Sequence, residues 1–164
     1  MTISSNAALW FLPFVLPICL WVAYTDLRWM KILNIAVIAL LVVFLIVGLV
    51  ALPFDVYAWR LAHIAVMLAL GVLMNAAGLV GAGDAKFVAA AAPFIPLGDV
   101  RLVLVILAIC LLAGFIAHRL AKHTALRRLA PGWESWDRGK KFPMGLCLGG
   151  ALAFYLCLGA LYGV

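Results

Sequence analysis

Six long uncharged runs take up most of this chain: Met1 to Thr25, Ile32 to Phe54, Leu61 to Gly83, Phe87 to Gly98, Leu102 to His118 and Phe142 to Val164. Five of them reach the roughly 17 to 25 residues that a helix needs to cross a hydrocarbon core. Within lipid every backbone polar group needs an internal partner, so such runs fold as helices or closed barrels. Unbroken apolar stretches of this length, without strict alternation, select helices. Hydrophobic residues make up 69% of the chain and charged ones 11%, which excludes an ordinary soluble domain. The expectation is an all-α polytopic membrane protein with a single membrane-embedded domain over residues 1–164.

The fourth run is the ambiguous one, with 12 residues and two prolines, Pro93 and Pro96. Its length alone suits a re-entrant loop, so the distribution of basic residues has to decide. If the run spans, Arg28, Lys31, Lys86 and the seven bases between Arg119 and Lys141 share one side, against only Arg60 and Arg101 on the other. If it does not, the bias weakens and reverses. Cytoplasmic loops carry the excess of Lys and Arg, and the stronger asymmetry predicts six spans, at about 7–25, 32–53, 61–82, 84–98, 102–119 and 143–163. Both termini then lie on the outer side. Met1 to Thr25 has no charged leading region, so it reads as a retained first span and not as a signal peptide.

This topology puts two carboxylates at one membrane face, Asp26 ending helix 1 and Asp84 opening helix 4. The other acids fall elsewhere: Asp55 and Asp99 in short outer loops, Glu134 and Asp137 in the basic inner loop. Ionisable groups at the edge of a span are rare and mark functional sites by default. Each aspartate alone has an ordinary explanation. Asp84 suits the N-cap of helix 4, and Asp26 is a juxtamembrane charge with Arg28 nearby to balance it. Gly81 and Gly83 shift the balance toward a paired site, because glycine permits positive backbone torsions and close approach of another backbone.

The remaining features exclude more than they assign. The net charge of +6 follows the topology rule and does not indicate nucleic acid. Arg119 to Ala130 can extend helix 5 into water until Pro131-Gly132 stops it. Trp133 and Trp136 fit an interfacial belt, and Lys140 and Lys141 fit contacts with anionic lipid. Cys19, Cys110, Cys147 and Cys157 are scattered without paired spacing, and His63, His118 and His123 are isolated, so no metal site or disulfide framework is expected.

Gly81-Ala82-Gly83-Asp84-Ala85-Lys86 resembles the Gly-x-Gly-Asp signature of membrane-embedded aspartic peptidases, and its Asp-x-Lys ending is similar to prepilin peptidases. Tyr24-Thr25-Asp26-Leu27-Arg28, followed by Ile32-Leu33-Asn34, resembles the first catalytic segment of that family, with Leu33 where proline is usual. Phe142-Pro143-Met144-Gly145 is similar to the family's Pro-x-Gly segment, with Met144 where an aromatic residue is common. The resemblance implies an aspartic endopeptidase with Asp26 and Asp84 catalytic. Gly81, Gly83, Lys86, Asn34, Pro143 and Gly145 are then substrate-binding or loop-shaping, and no cofactor is implied. The implied substrates are prepilin-like precursors, cut between a basic leader and a hydrophobic helix at the cytoplasmic face of the bacterial inner membrane. Membrane lipid and pilus or secretion assembly machinery are the other partners.

Long members of that family carry an inserted domain with paired Cys-x-x-Cys motifs and methylate the new N-terminus. Only Leu27 to Lys31 separate the first two runs here, so the chain resembles the short form, associated with Flp-type (tight-adherence) pilins or preflagellins, without methyltransferase activity. Presenilin-like proteases share Gly-x-Gly-Asp but place the partner aspartate after tyrosine, in mid-helix. Two other classes remain open from the residues alone. A small ion- or proton-coupled transporter component would hold its carboxylates nearer the bilayer midplane. A structural subunit of a secretion complex would account for the spans but not for the motifs.

Overall fold

The computed structural model describes residues 1–138 and 142–164. Lys140 and Lys141, expected to meet anionic lipid, lie outside the described residues. Among these described residues six α-helices follow in order: α1 Ser5–Trp29, α2 Asn34–Ala51, α3 Phe54–Ala76, α4 Ala82–Ala91, α5 Val100–His123 and α6 Met144–Tyr162. Among the described residues there is no strand. Five helices, all but α4, are long and apolar enough to cross a membrane.

The fourth segment differs from the expected 84–98 span. α4 ends at Ala91 and continues as two 3-10 turns, Ala92–Phe94 and Leu97–Asp99, before α5 begins. Pro93 and Pro96 each remove a backbone donor and disfavour a helical residue before them. Pro13 and Pro17 do not break α1, which runs through both for 25 residues. Lipid and neighbouring helices tolerate proline inside a span where packing holds the rest of the helix.

That packing comes from α6, whose glycines lie along α1. A Cβ at Gly149 would sit 2.9 Å from the Cys19 carbonyl oxygen, and one at Gly159 would sit 2.9 Å from Ile3 and 3.1 Å from Ala8. Lipid supplies no hydrophobic drive between helices, so association depends on such close backbone contact through small residues. Phe11, Phe44 and Phe94 complete the centre, Phe11 meeting Phe94 edge-on at 4.9 Å.

Two acids expected in outer loops are part of the helical framework. Asp55 lies in the first turn of α3. Asp99 is buried in the second 3-10 turn, where it accepts hydrogen bonds from Thr2 N (2.8 Å), Ile3 N (3.0 Å) and the Tyr155 hydroxyl (2.7 Å). Arg60, also buried, donates to the Pro93 and Phe94 carbonyls at 3.4 and 3.5 Å. This polar cluster fastens the chain's beginning, α3, α6 and the broken segment after α4 at one end of the bundle. The loop after α5 also departs from expectation. Helix geometry stops at His123, and a 3-10 segment, Ala125–Leu129, follows. Trp136 is buried and no belt residue, because its ring stacks on His118 at 4.8 Å and its Nε1 donates to the Ala130 carbonyl at 2.8 Å.

Candidate active site

Asp26 falls in the last turn of α1, which runs on to Trp29 instead of ending at Thr25. The chain then reverses at Met30, a residue in the left-handed region (φ 52°) whose N–H donates to the Asp26 carbonyl at 2.9 Å. For a residue with a side chain that conformation costs about 1–2 kcal/mol. Its effect is to turn Lys31 to Asn34 back across the end of α1, so that Ile32 comes to lie against two glycines. A Cβ at Gly83 would be 3.4 Å from Ile32 Cβ, and one at Gly145 would be 3.0 Å from Ile32 Cγ1.

The approach to α4 is built by a different device. α3 closes with Leu79 N donating to the Met74 carbonyl and Gly78 N to the Asn75 carbonyl, around Gly78 at φ 72°. This is the Schellman pattern, in which glycine supplies the left-handed residue. Asn75 Nδ2 then holds the Val80 carbonyl at 2.8 Å. The N-cap of α4 is Gly81, and Asp84 sits in the first turn, so the ordinary explanation of Asp84 as an N-cap does not apply, and the helix opens two residues before the expected 84. The carboxylate turns back on the helix start, where a Cβ at Gly81 would lie 2.7 Å from Asp84 Oδ2. Gly81 has φ −65° and Gly83 is inside α4. Neither position uses positive torsion: a side chain at Gly81 would crowd the Asp84 carboxylate, whereas one at Gly83 would meet Ile32 only at an ordinary contact distance.

Gly145 opens the third side. Its N–H, in the first turn of α6, donates to Asp26 Oδ2 at 2.6 Å. Pro143 precedes the helix as its N-cap and offers no side-chain acceptor, so Asp26 reaches across from α1 to satisfy one of α6's free donors. Both carboxylates thus meet a helix N-terminus, that of α6 for Asp26 and that of α4 for Asp84, where the helix dipole favours an anion. Arg28 does not balance Asp26; it donates to the Tyr24 hydroxyl and lies over the Trp29 ring at 4.9 Å.

Capping does not require the two carboxylates to face the same space, yet they do. Asp26 and Asp84 line one open cavity of about 610 Å³, together with Asn34, Gly81, Gly83, Met30 to Leu33, Phe142 and Met144. Gly145 shapes it from behind Asp26. Lys86 is not in the lining; its Nζ donates to Asn34 Oδ1 at 3.1 Å and ties α4 to the start of α2. Pro143 is buried beside the lining residues Phe142 and Met144. Ile32, from the Ile32-Leu33-Asn34 segment, lines the cavity, as does Met30, which no motif marks; the sequence signal for Met30 is the short, turn-length interval between the first two runs. Among the described residues no three His, Cys, Asp or Glu side chains converge as a metal site.

A family model described as "Type IV leader peptidase family" matches residues 13–118, a stretch that contains both aspartates and ends before α6. No curated protein matches the chain, and no solved structure does.

Proposed function

Because the chain belongs to the type IV leader peptidase family, a family of proteases, we propose that it is an aspartic prepilin peptidase whose catalytic dyad is Asp26 and Asp84. The observation that carries this reading is the single cavity lined by both carboxylates, one from the end of α1 and one from the start of α4.

Amide hydrolysis needs a base to take a proton from water and an acid to protonate the departing nitrogen. Two carboxyl groups sharing a site hold one proton between them, since both cannot ionise cheaply at short range, and so supply both roles. Water between Asp26 and Asp84 attacks the scissile carbonyl while the ionised carboxylate takes its proton. The other carboxyl protonates the carbonyl oxygen, giving a tetrahedral diol without a covalent enzyme adduct. Proton transfer to nitrogen and C–N cleavage then release the leader as a carboxylate and the remainder as a free amine. The pair titrates together, so neither residue is assigned base or acid.

The substrates this reading implies are prepilin-like precursors, with the leader on the basic, cytoplasmic side of the inner membrane and both termini of the enzyme on the outer side. The cavity's glycine edge at Gly81 and Gly83 leaves backbone groups accessible to an extended leader segment. Turnover without S-adenosylmethionine belongs to the same proposal.

The test is co-expression with a pilin-like precursor from the same source, read as the precursor's mass, beside Asp26→Asn and Asp84→Asn. Asn still accepts a hydrogen bond at a helix N-terminus, so both variants should accumulate at the parent's level and leave the precursor intact. A variant that cleaves would overturn the dyad. An uncut precursor in every lane, across several candidate pilins, would overturn the peptidase reading.

A further inference from the structure

A second cavity, of about 390 Å³, lies between α3 and α5 with α4 as its floor. Apart from His63 its walls are apolar, and they include Ala62 and Met67 of α3, Val88 and Ala91 of α4, and Leu104 and Leu107 of α5. The geometry points to this groove as the seat of the substrate's hydrophobic helix, an inference that rests on the peptidase reading and extends it to a binding surface.

The argument begins on α4. Asp84, Phe87, Val88, Ala91 and Ile95 follow a three-and-four spacing, and the first four lie on one stripe of the helix. Phe87, Val88, Ala91 and Ile95 line the groove, while Asp84 lines the catalytic cavity. The apolar groove therefore begins about one helical turn, roughly 5 Å along α4, from the Asp84 backbone. A precursor cut at the junction of an extended leader and an apolar helix needs such a pair of adjoining spaces, one polar and open, one apolar and elongated.

The flanking helices are free to receive a partner. α5 buries only Ile106 and His118 among its described residues, and α3 only Tyr57, Arg60 and Gly71. Ala91, Ala92 and Ala151 in the lining are small enough to let another helix come close, which is how helices associate in lipid. The volume suits inserted side chains rather than a whole helix, so the incoming helix would dock one face, every third or fourth residue, in the manner of helix-in-groove recognition.

The experiment uses the full chain in proteoliposomes with two substrates: the complete precursor, and a soluble peptide that spans the leader and scissile bond without the hydrophobic helix. Ala62→Phe and Leu104→Trp narrow the groove from exposed positions. Val50→Phe, on the outer face of α2, is the control. For the complete precursor the two groove variants should raise KM about tenfold with kcat within about twofold, the pattern of lost uniform binding, while the peptide's KM stays at the parent value. In a second arm, a photo-crosslinking side chain replaces Met67 in the Asp84→Asn chain and should form an adduct with the precursor's hydrophobic segment. Parent-like precursor KM in both variants, an equal loss on both substrates, or adducts to lipid alone would overturn the groove while cleavage by the parent leaves the peptidase reading standing. Failure of the parent to cut either substrate overturns both.

Discussion

Gly145→Ala tests the site through one methyl group. The added Cβ would lie 3.0 Å from Asp26 Cβ, 3.0 Å from Asp26 Oδ2 and 3.0 Å from Ile32 Cγ1. Ordinary contacts begin near 3.4 Å, so Asp26, Ile32 or the start of α6 must retreat by about 0.4 Å or more. The 2.6 Å hydrogen bond from Gly145 N holds the same carboxylate and cannot shorten further to compensate. A misplacement of about 1 Å at a reacting group costs on the order of 100-fold in rate. The smaller shift here predicts a loss of about 10- to 100-fold in kcat, or about 1.4–2.7 kcal/mol in the barrier. Overpacking also lowers stability, by about 1–3 kcal/mol. Gly150→Ala, on the same helix, is the matched comparison, because its Cβ would meet only Cys110 Sγ at 4.0 Å. It should keep activity and gain about 0.5–1 kcal/mol from the helix preference for alanine over glycine. The assay is precursor cleavage at saturating substrate, with thermal unfolding in detergent run in parallel. Parent-like turnover in Gly145→Ala would refute the claim that this contact sets Asp26 for chemistry, and an equal loss in Gly150→Ala would show that any methyl on α6 suffices.

Leu33 is the N-cap of α2 with φ −74°, already within proline's range, so Leu33→Pro should preserve cleavage and add about 0.4–1 kcal/mol of stability in thermal unfolding. Gly78→Ala places a side chain at φ 72° with open space around it, so its cost is backbone strain alone, about 1–2 kcal/mol, read as a lower unfolding temperature. Gly149→Ala drives a methyl onto the Cys19 carbonyl at 2.9 Å, a backbone atom that cannot swing aside, and should separate α1 from α6 at a cost of about 1–3 kcal/mol.

The helices were readable because uncharged runs bounded by charges report lipid burial directly. What the runs could not report was helix ending. Asp26 closes a charge-free run, yet α1 continues through Leu27 and Arg28, because backbone hydrogen bonding does not depend on whether the side chain meets lipid or water. Asp55 and Arg60 lie inside α3 for the same reason, although charge placement puts them outside a span. Prolines show the converse limit: of the four inside the expected 7–25 and 84–98 spans, Pro13 and Pro17 leave α1 unbroken, whereas Pro93 and Pro96 coincide with a break. The paired aspartates were legible from motif context, whereas Lys86 binding Asn34, and Ile32 wedged between Gly83 and Gly145, depend on three chain segments meeting and have no sequence period to betray them.

Three carboxylates are held inside this bundle, and their hydrogen bonding separates them. Asp99 accepts from two backbone amides and the Tyr155 hydroxyl, so its lone pairs are committed to holding the chain's beginning against α6. Asp26 accepts one short bond on Oδ2, and among the described residues no side chain donates to either Asp26 or Asp84. A carboxyl that must gain and lose a proton during turnover needs uncommitted oxygen and room for water, and the 610 Å³ cavity supplies both to this pair. Asp99→Asn should therefore weaken the fold, because the amide presents a donor nitrogen to groups that themselves donate, at about 1–3 kcal/mol for the unsatisfied group. Its folded fraction should cleave precursor with the parent's kcat. Asp84→Asn should do the reverse, unfolding close to the parent's temperature with no detectable cleavage. If Asp99→Asn abolished turnover in fully folded protein, the division between a structural carboxylate at one end and the proposed dyad at the other would fail.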